Sequence, residues 1–426
     1  MMNKKLENLS RSKFLRSVII MVSGAAGAQV ITVLLSPIIT RLYGPEAFGV
    51  MGSFQAMMGI IVPIAALTYP TAIVIPQSNR DAKSLVKLSL IIAFFISLFI
   101  FIFVFLFNDF ITSLFKLEGV ENFLFLIPFV IILAAFMQVT EQWMIRTKQF
   151  SVNAKATFSQ SLIINGFKVA IGFFQPIALV LVTLSAFSNG IKATLMLIFS
   201  KKSKDTSKEN VTENVKKIRE LAKEYADFPI FRAPQEFINA ITNSLPALML
   251  AAYFGPASVG FYSIGRTVLN IPVELIGRAV GDVFYPRIAE ATNNKENISL
   301  LLKKTTFGLA IIGLIPFSIV IIFGPSLFGF IFGDEWTLAG EYARWIAILA
   351  YSSLINRPCV RALPILKAQR FHLMYTIFTL IIRLLALVVG NYVFKSDLTA
   401  IMLFGMSGAI LNLGLCFITL KITKKK

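Results

Sequence analysis

The chain has 426 residues, 56% of them hydrophobic and 15% charged, with 40 phenylalanines and a formal net charge of +19, and its mean hydropathy is +0.75. A soluble domain could not hide that much apolar surface, and the alternating apolar and polar segments that a membrane β-barrel requires are absent. The composition predicts an all-α polytopic membrane protein, and basic residues confined mostly to loops and tails argue against a nucleic-acid partner.

In chain order, MMNKKLENLSRSKFLRS leads into a long helix without a small-residue cleavage site. It is expected to be a retained cytoplasmic tail. Apolar segments follow at 15–41, 46–75, 84–107, 122–145, 154–173 and 176–199. The uncharged run from Leu88 to Phe107 has the length, about 20 residues, that a helix needs to cross a bilayer core of roughly 30 Å. A polar stretch from Lys201 to Lys223 lacks an apolar stripe wide enough for a core. Six further segments lie at 226–253, 257–286, 304–332, 339–363, 371–394 and 398–420. The predicted organisation is an N-terminal lobe at 1–200, a cytoplasmic linker at 201–224 and a C-terminal lobe at 225–426, with twelve transmembrane helices.

YGPEAFG at Tyr43 to Gly49 returns as FGPASVG at Phe254 to Gly260, an offset of 211. Pro63 and then Tyr69-Pro70 follow the first copy, and Pro272 and then Tyr285-Pro286 follow the second. Further on, Lys148-Gln149-Phe150 has a counterpart in Gln369-Arg370-Phe371. Landmarks in the same order predict a duplicated six-helix unit, each copy turning tightly at its Gly-Pro. Of the 41 lysines and arginines, 31 fall in alternate loops and the two tails, against Arg41, Lys116 and Lys395 on the other side. That asymmetry places both termini in the cytoplasm. Each lobe then begins on the cytoplasmic side, so the lobes are parallel repeats, expected to enclose a central cavity. Pro63, Pro128, Pro272 and Pro316 are expected to kink their spans.

The chain has no GxxxxGK[ST], GxSxG or HExxH pattern, so neither covalent catalysis nor a cofactor is expected. Cys359 and Cys416 suggest no disulfide framework, and the single His372 has no metal-ligand types around it,. The functional signal lies in ionisable residues inside apolar spans, each costing several kcal/mol unless paired or wet. Span 8 carries Arg266, Asn270, Glu274, Arg278 and Asp282 at steps of four, one polar stripe along a helix. Glu274–Arg278 and Arg278–Asp282 could also neutralise one another as i,i+4 pairs. Span 7 carries a second stripe, Arg232, Glu236, Asn239 and Asn243. Lys168, Lys192 and Arg383 have no acid at helical spacing, whereas Arg344 has Glu341. Surplus cations at membrane depth predict an anionic guest, and Arg41 is expected at the outer mouth.

PIITRLYGPEAFGVMGSF, FGPASVGFYSIGRTVLNIP and FGDEWTLAGEYARWIAIL resemble the Wzx-type polysaccharide flippases of the multidrug/oligosaccharidyl-lipid/polysaccharide exporter superfamily. The resemblance covers essentially the whole chain. It implies that a polyprenyl-diphosphate-linked glycan is turned over across the cell inner membrane for O-antigen, capsule or exopolysaccharide synthesis. Membrane lipids, a polysaccharide polymerase and a chain-length regulator would be its partners. In that setting Arg266, Arg278, Arg232, Lys168, Arg383, Arg41 and Asn270 are expected to hold the anionic substrate. Glu274, Asp282 and Glu236 would tune those cations or exchange protons. The alternative is an ion-coupled multidrug exporter of the same superfamily; such exporters often carry an acid in the first helix, and here none lies between Val18 and Thr40.

Overall fold

A computed structural model describes the backbone of residues 2–115, 121–200, 217–293, 297–363, 366 and 368–424; side chains at 2–19, 22, 115, 122, 275–287, 289–293, 369 and 424 lie outside the description. Among the described residues every regular element is a helix. The elements are α1 (Met2–Ile61), α2 (Asn79–Phe115), α3 (Leu126–Arg146), α4 (Phe150–Gly172), α5 (Ala178–Phe199), the short α6 (Ile218–Glu224), α7 (Ala233–Phe254), α8 (Pro256–Asn293), α9 (Ile298–Phe332), α10 (Thr337–Ala362), α11 (Gln369–Tyr392) and α12 (Asp397–Lys424). Each of the predicted apolar segments overlaps one of these helices, with α1 carrying the first and the beginning of the second.

Eight described helices are long and apolar enough to cross a membrane. The protein is a multi-pass membrane protein. α4, α8 and α10 are not among the eight, because buried amides and interspersed charges lower their hydropathy. Elsewhere whole faces are bare hydrocarbon: Phe99 is 67% exposed, Phe105 66% and Ile315 70%. Only lipid can cover such faces at no cost.

The Gly-Pro turns form as their residues dictate. α1 is interrupted at Gly44, with φ 69° and ψ 172°. At the second copy α7 ends, Gly255 takes φ 90°, and α8 starts at Pro256. Glycine adopts these positive φ values without a Cβ penalty, and a proline at the first helical position gives up only an N–H that has no partner there.

The second span departs from expectation. Instead of one kinked helix to residue 75, the helix stops at Ile61 and continues as 3-10 turns at Val62–Ile64 and Tyr69–Val74. Pro63 and Pro70 lack the N–H that an α-helical ladder requires. Leu67 (φ 48°) and Thr68 (φ 58°) take left-handed conformations between the turns. Thr68 Oγ1 donates to the Phe228 carbonyl at 3.0 Å and Tyr69 OH to the Ala222 carbonyl at 2.9 Å, tying this reversal to the chain that enters α7. Pro128 falls in the first turn of α3, where it is tolerated, and Pro316 lies inside α9.

The chain divides into two compact units, residues 1–43 with 50–248, and residues 44–49 with 249–426. In the first, Tyr69, Ile73, Leu85, Val139 and Leu221 bury one another. Leu221 is 1% exposed, so the end of the predicted polar linker packs as a helix, because Ile218, Leu221 and Ala222 share one face. In the second unit Trp336 and Tyr342 are fully buried, and Phe261 meets both edge-on at 6.1 and 6.0 Å. Helices approach closely where both partners are small, as expected where lipid removes the hydrophobic drive for association. A Cβ on Gly340 would stand 2.4 Å from the Gly324 carbonyl oxygen.

The two Gly-Pro turns also meet within the second unit. A Cβ on Gly49 would lie 1.7 Å from the Pro256 carbonyl oxygen, and one on Gly260 would lie 2.1 Å from that of Pro45. Glycine 49 matches 260 and proline 45 matches 256 in the duplicated sequence, so the contact is reciprocal, as in a two-fold pairing of like surfaces. The cysteines, which suggested no pairing from sequence, are brought together between α10 and α12: both are buried free thiols, and Cys359 Sγ lies 3.2 Å from Cys416 Sγ.

Candidate functional site

In the first unit the polar residues of α7 begin at a π-helical turn, Phe228–Arg232. Such turns displace side chains from the regular helical register and recur at functional sites. Ala233, Ala240, Ser244 and Ala247 form the buried side of α7, while Arg232, Asn239 and Asn243 are exposed and Glu236 is half-buried. The stripe therefore does not pack against the body of the helix bundle. Arg232 and Glu236, one helical turn apart, line a cavity of about 220 Å³, and no ion pair between them is present among the described residues.

Gln138, Glu141 and Gln142 of α3 complete that cavity, with Thr68 and Thr71. Glu141 changes one reading of the sequence. Lys192 is not a surplus cation, because its Nζ lies 3.5 Å from both carboxylate oxygens of Glu141. Asn153 Nδ2 donates to Glu141 Oε1 at 2.9 Å. The partners sit 51 residues apart on different helices, which a search at helical spacing within one span cannot find. The signal that would have found Glu141 is the one used for the others, an ionisable residue inside an apolar span.

Arg146, at the end of α3, is counted from sequence as one more basic loop residue and has a second task. Its guanidinium donates to the carbonyls of Ile73 at 3.1 Å, Pro76 at 2.7 Å and Gln77 at 3.3 Å, and to Asn79 Oδ1 at 3.1 and 3.2 Å. It thereby pins the chain between the second 3-10 turn and α2, just past Thr71. Arg146→Ala should remove these charge-assisted bonds and lower stability by about 2–3 kcal/mol. Thermal unfolding of the purified protein reads this out; a melting temperature equal to that of the parent would contradict the staple.

Lys168 of α4 is half-buried, with Nζ 3.7 Å from Met51 Sδ, and its carbonyl accepts from Tyr43 OH at 2.8 Å. Arg41 is exposed two residues before Tyr43, in the last helical turn before Gly44. Neither residue lines the cavity that holds Arg232 and Glu236.

In the second unit the α8 stripe behaves like that of α7. Ser258, Val259, Tyr262, Leu269 and Val273 are buried, while Arg266 is half-buried and Asn270 and Glu274 are exposed. Three residues of the predicted set thus share one open face. Arg278 and Asp282 continue along α8, but their side chains, and with them the expected Glu274–Arg278 and Arg278–Asp282 pairs, lie outside the described residues. Arg383 lies on α11. Its guanidinium carbon is 5.7 Å from the centroid of the Phe404 ring. The buried Nε has no hydrogen-bond partner among the described residues, and a Cβ on Gly408 would meet that atom at 2.9 Å, so the glycine makes room for it. Arg344 pairs with Glu341 at 3.0 Å, as its spacing predicts, and also donates to the Ile322 carbonyl at 3.0 Å.

Residues 38–340 match the family model described as "Polysaccharide biosynthesis protein". The chain belongs to this family. Among curated relatives, it is 26% identical over 133 residues to the succinoglycan biosynthesis transport protein ExoT of Rhizobium meliloti (strain 1021), covering 31% of this chain and 26% of that one. It is 20% identical over 199 residues to the amylovoran biosynthesis protein AmsL of Erwinia amylovora, covering 46% and 49%. The matches thus span about a quarter and about half the length of those relatives. Among solved structures, this polysaccharide biosynthesis family member is similar to an inward-facing multidrug resistance MATE family transporter of the MOP superfamily, with TM-score 0.76, 12% identity and coverage of 96% and 99%. It is likewise similar to the lipid II flippase MurJ in an inward closed conformation, with TM-score 0.72, 12% identity and coverage of 95% and 90%. At that identity the likeness shows the fold alone: an all-α polytopic membrane architecture.

Proposed function

We propose that the protein is a flippase that moves a polyprenyl-diphosphate-linked oligosaccharide from the cytoplasmic to the outer leaflet of the cytoplasmic membrane, for assembly of a surface polysaccharide. The observation that carries this reading is the family match across residues 38–340. The open polar face of α8 supports it. Charged and amide side chains on a membrane helix cost several kcal/mol each unless they are paired or reach water, and a face with Asn270 and Glu274 exposed and Arg266 half-buried is in keeping with a water-filled path. A water-filled path with arginines along it accepts the diphosphate through charge-assisted bonds while the polyprenyl chain stays in lipid.

Arg266 and Arg278 hold the diphosphate in this reading, with Arg232, Lys168, Arg383, Arg41 and Asn270 as further substrate contacts. Glu274 and Asp282 temper the arginines or exchange protons as the two repeats rock between inward-facing and outward-facing states. Both termini lie in the cytoplasm, as the charge asymmetry of the loops requires. A polymerase and a chain-length regulator act on the product at the outer face. Cells from which the protein is removed should accumulate the lipid-linked glycan and lose surface polymer. Undiminished surface polymer in such cells would overturn the proposal.

A further inference from the structure

The cavity of the first unit has the wrong electrostatics for a diphosphate. Its ionisable lining is Glu141, Glu236 and Arg232, and Lys192 is held by Glu141. With Glu141 offset by Lys192 and Glu236 facing Arg232, the cavity has no surplus positive charge to attract a dianion. Yet the cavity is furnished for polar recognition. Arg232, Glu236 and Gln142 have no partner among the described residues, although Arg232 and Glu236 are spaced to pair with each other. Gln138 Nε2 donates to the Val62 carbonyl at 2.9 Å, which fixes the amide and leaves its oxygen as an acceptor. Carboxylates only accept and guanidinium only donates, so a ligand that satisfies both must carry groups that do either. Hydroxyl groups do so.

Size narrows the class. At about 220 Å³ the cavity falls below the roughly 300–1,000 Å³ of pockets for drug-sized ligands and displaces about seven waters at roughly 30 Å³ each. One pyranose ring fits that space. Pro63 and Pro70 add apolar ring faces to the lining, suited to the C–H face of a sugar.

We propose that this cavity binds a single sugar ring of the transported glycan, separately from the arginines that take the diphosphate. The inference rests on the flippase reading and gives Glu236 a role beyond tuning charge. Glu236, Arg232 and Gln142 contact the ring hydroxyls, Glu141 accepts from a further hydroxyl while anchored by Lys192 and Asn153, and the identity of the ring becomes a source of glycan specificity.

The test uses the full protein in detergent and two probes, polyprenyl diphosphate carrying one hexose and bare polyprenyl diphosphate. Hexoses native to the host's surface polymer are tried in turn. The unaltered protein should bind the best hexosyl probe at least tenfold more tightly than the bare one. Gln142→Leu combined with Glu236→Leu should bring the two affinities within about twofold of each other. Glu236→Gln, a near-isosteric change at a side chain without a partner among the described residues, carries the same test should the double variant fail to fold, with the ratio of hexosyl to bare affinity falling at least threefold. Equal affinity of the unaltered protein for the two probes, or an equal loss on both in the variants, overturns the sugar subsite and leaves the flippase reading standing. Failure of the unaltered protein to bind either probe overturns both.

Discussion

Replacing Gly49 or Gly260 with alanine should abolish or severely reduce the yield of folded protein. The new methyl carbon would stand 1.7 Å from the Pro256 carbonyl oxygen in the first case and 2.1 Å from the Pro45 carbonyl oxygen in the second. Both obstacles are backbone at the start of a helix, so no side-chain rotation relieves the clash. Overpacking a core usually costs about 1–3 kcal/mol when side chains can shift; here two helix starts must separate, and the cost lies at or beyond the upper end. Gly308→Ala is the matched control, because a Cβ there meets nothing within 4 Å and alanine favours the helix by about 1 kcal/mol. Size-exclusion profiles and thermal unfolding in detergent compare the three. If Gly49→Ala and Gly260→Ala behave like Gly308→Ala, the turns do not meet as described.

The second large effect is expected at the α8 stripe. Arg266→Ala combined with Arg278→Ala should lower glycan export by more than a hundredfold while the protein still inserts and unfolds at the parental temperature. Each arginine supplies charge-assisted bonds to the diphosphate of about 1.5–3 kcal/mol, so losing two removes roughly 3–6 kcal/mol, and 1.4 kcal/mol is a factor of ten. Arg266, Asn270 and Glu274 lie away from the buried Val259, Leu269 and Val273 of α8, whose packing the truncation is expected to leave intact. Arg→Lys at both positions keeps the charge without the bidentate fork, and a partial loss is expected. Retention of full export by the double alanine variant would remove the arginines from the substrate path.

The parts of this protein that were legible in the sequence are those governed by local rules. Gly-Pro at two places requires a positive φ followed by a helix start, and both places show it at Gly44 and Gly255. Residues at steps of four lie on one helix face whatever the surroundings, so the Arg266–Glu274 stripe could be drawn before any coordinate was known. Glu341 and Arg344 pair because they are one turn apart. What could not be read depends on contacts between distant segments. Glu141 meets Lys192 from another helix, and Arg146 finds carbonyls some 70 residues earlier in the chain. Cys359 and Cys416 face each other only because α10 and α12 pack together. Pro63 marked a disturbance correctly, but whether it bends or ends a helix depends on what receives the chain beyond it. Here Tyr69 and Thr68 are received by the segment leading into α7, so the helix ends. The same segment explains why Ile218–Glu224 folds: in isolation it is too short to be a stable helix, and Leu221 is held by the Tyr69 cluster.

In the proposed reading the sugar-sized cavity and the arginines of α8 divide recognition between them. The cavity takes a sugar ring, and Arg266 and Arg278, which share their stripe with Glu274 and Asp282, take the diphosphate anchor. A substrate that must satisfy both is selected more strictly than one recognised by charge alone.

The central claim is most directly tested in proteoliposomes. A polyprenyl-diphosphate-linked oligosaccharide is loaded symmetrically in the presence of the purified protein, and the glycan in the outer leaflet is then oxidised with a membrane-impermeant reagent. The account predicts that vesicles containing the protein lose nearly all of their glycan to the reagent, while empty vesicles and those with the Arg266→Ala, Arg278→Ala protein stop at about half, the share of an outer leaflet that does not exchange. If vesicles with the unaltered protein also stop at half, with or without an imposed proton or sodium gradient, the protein does not turn this lipid over.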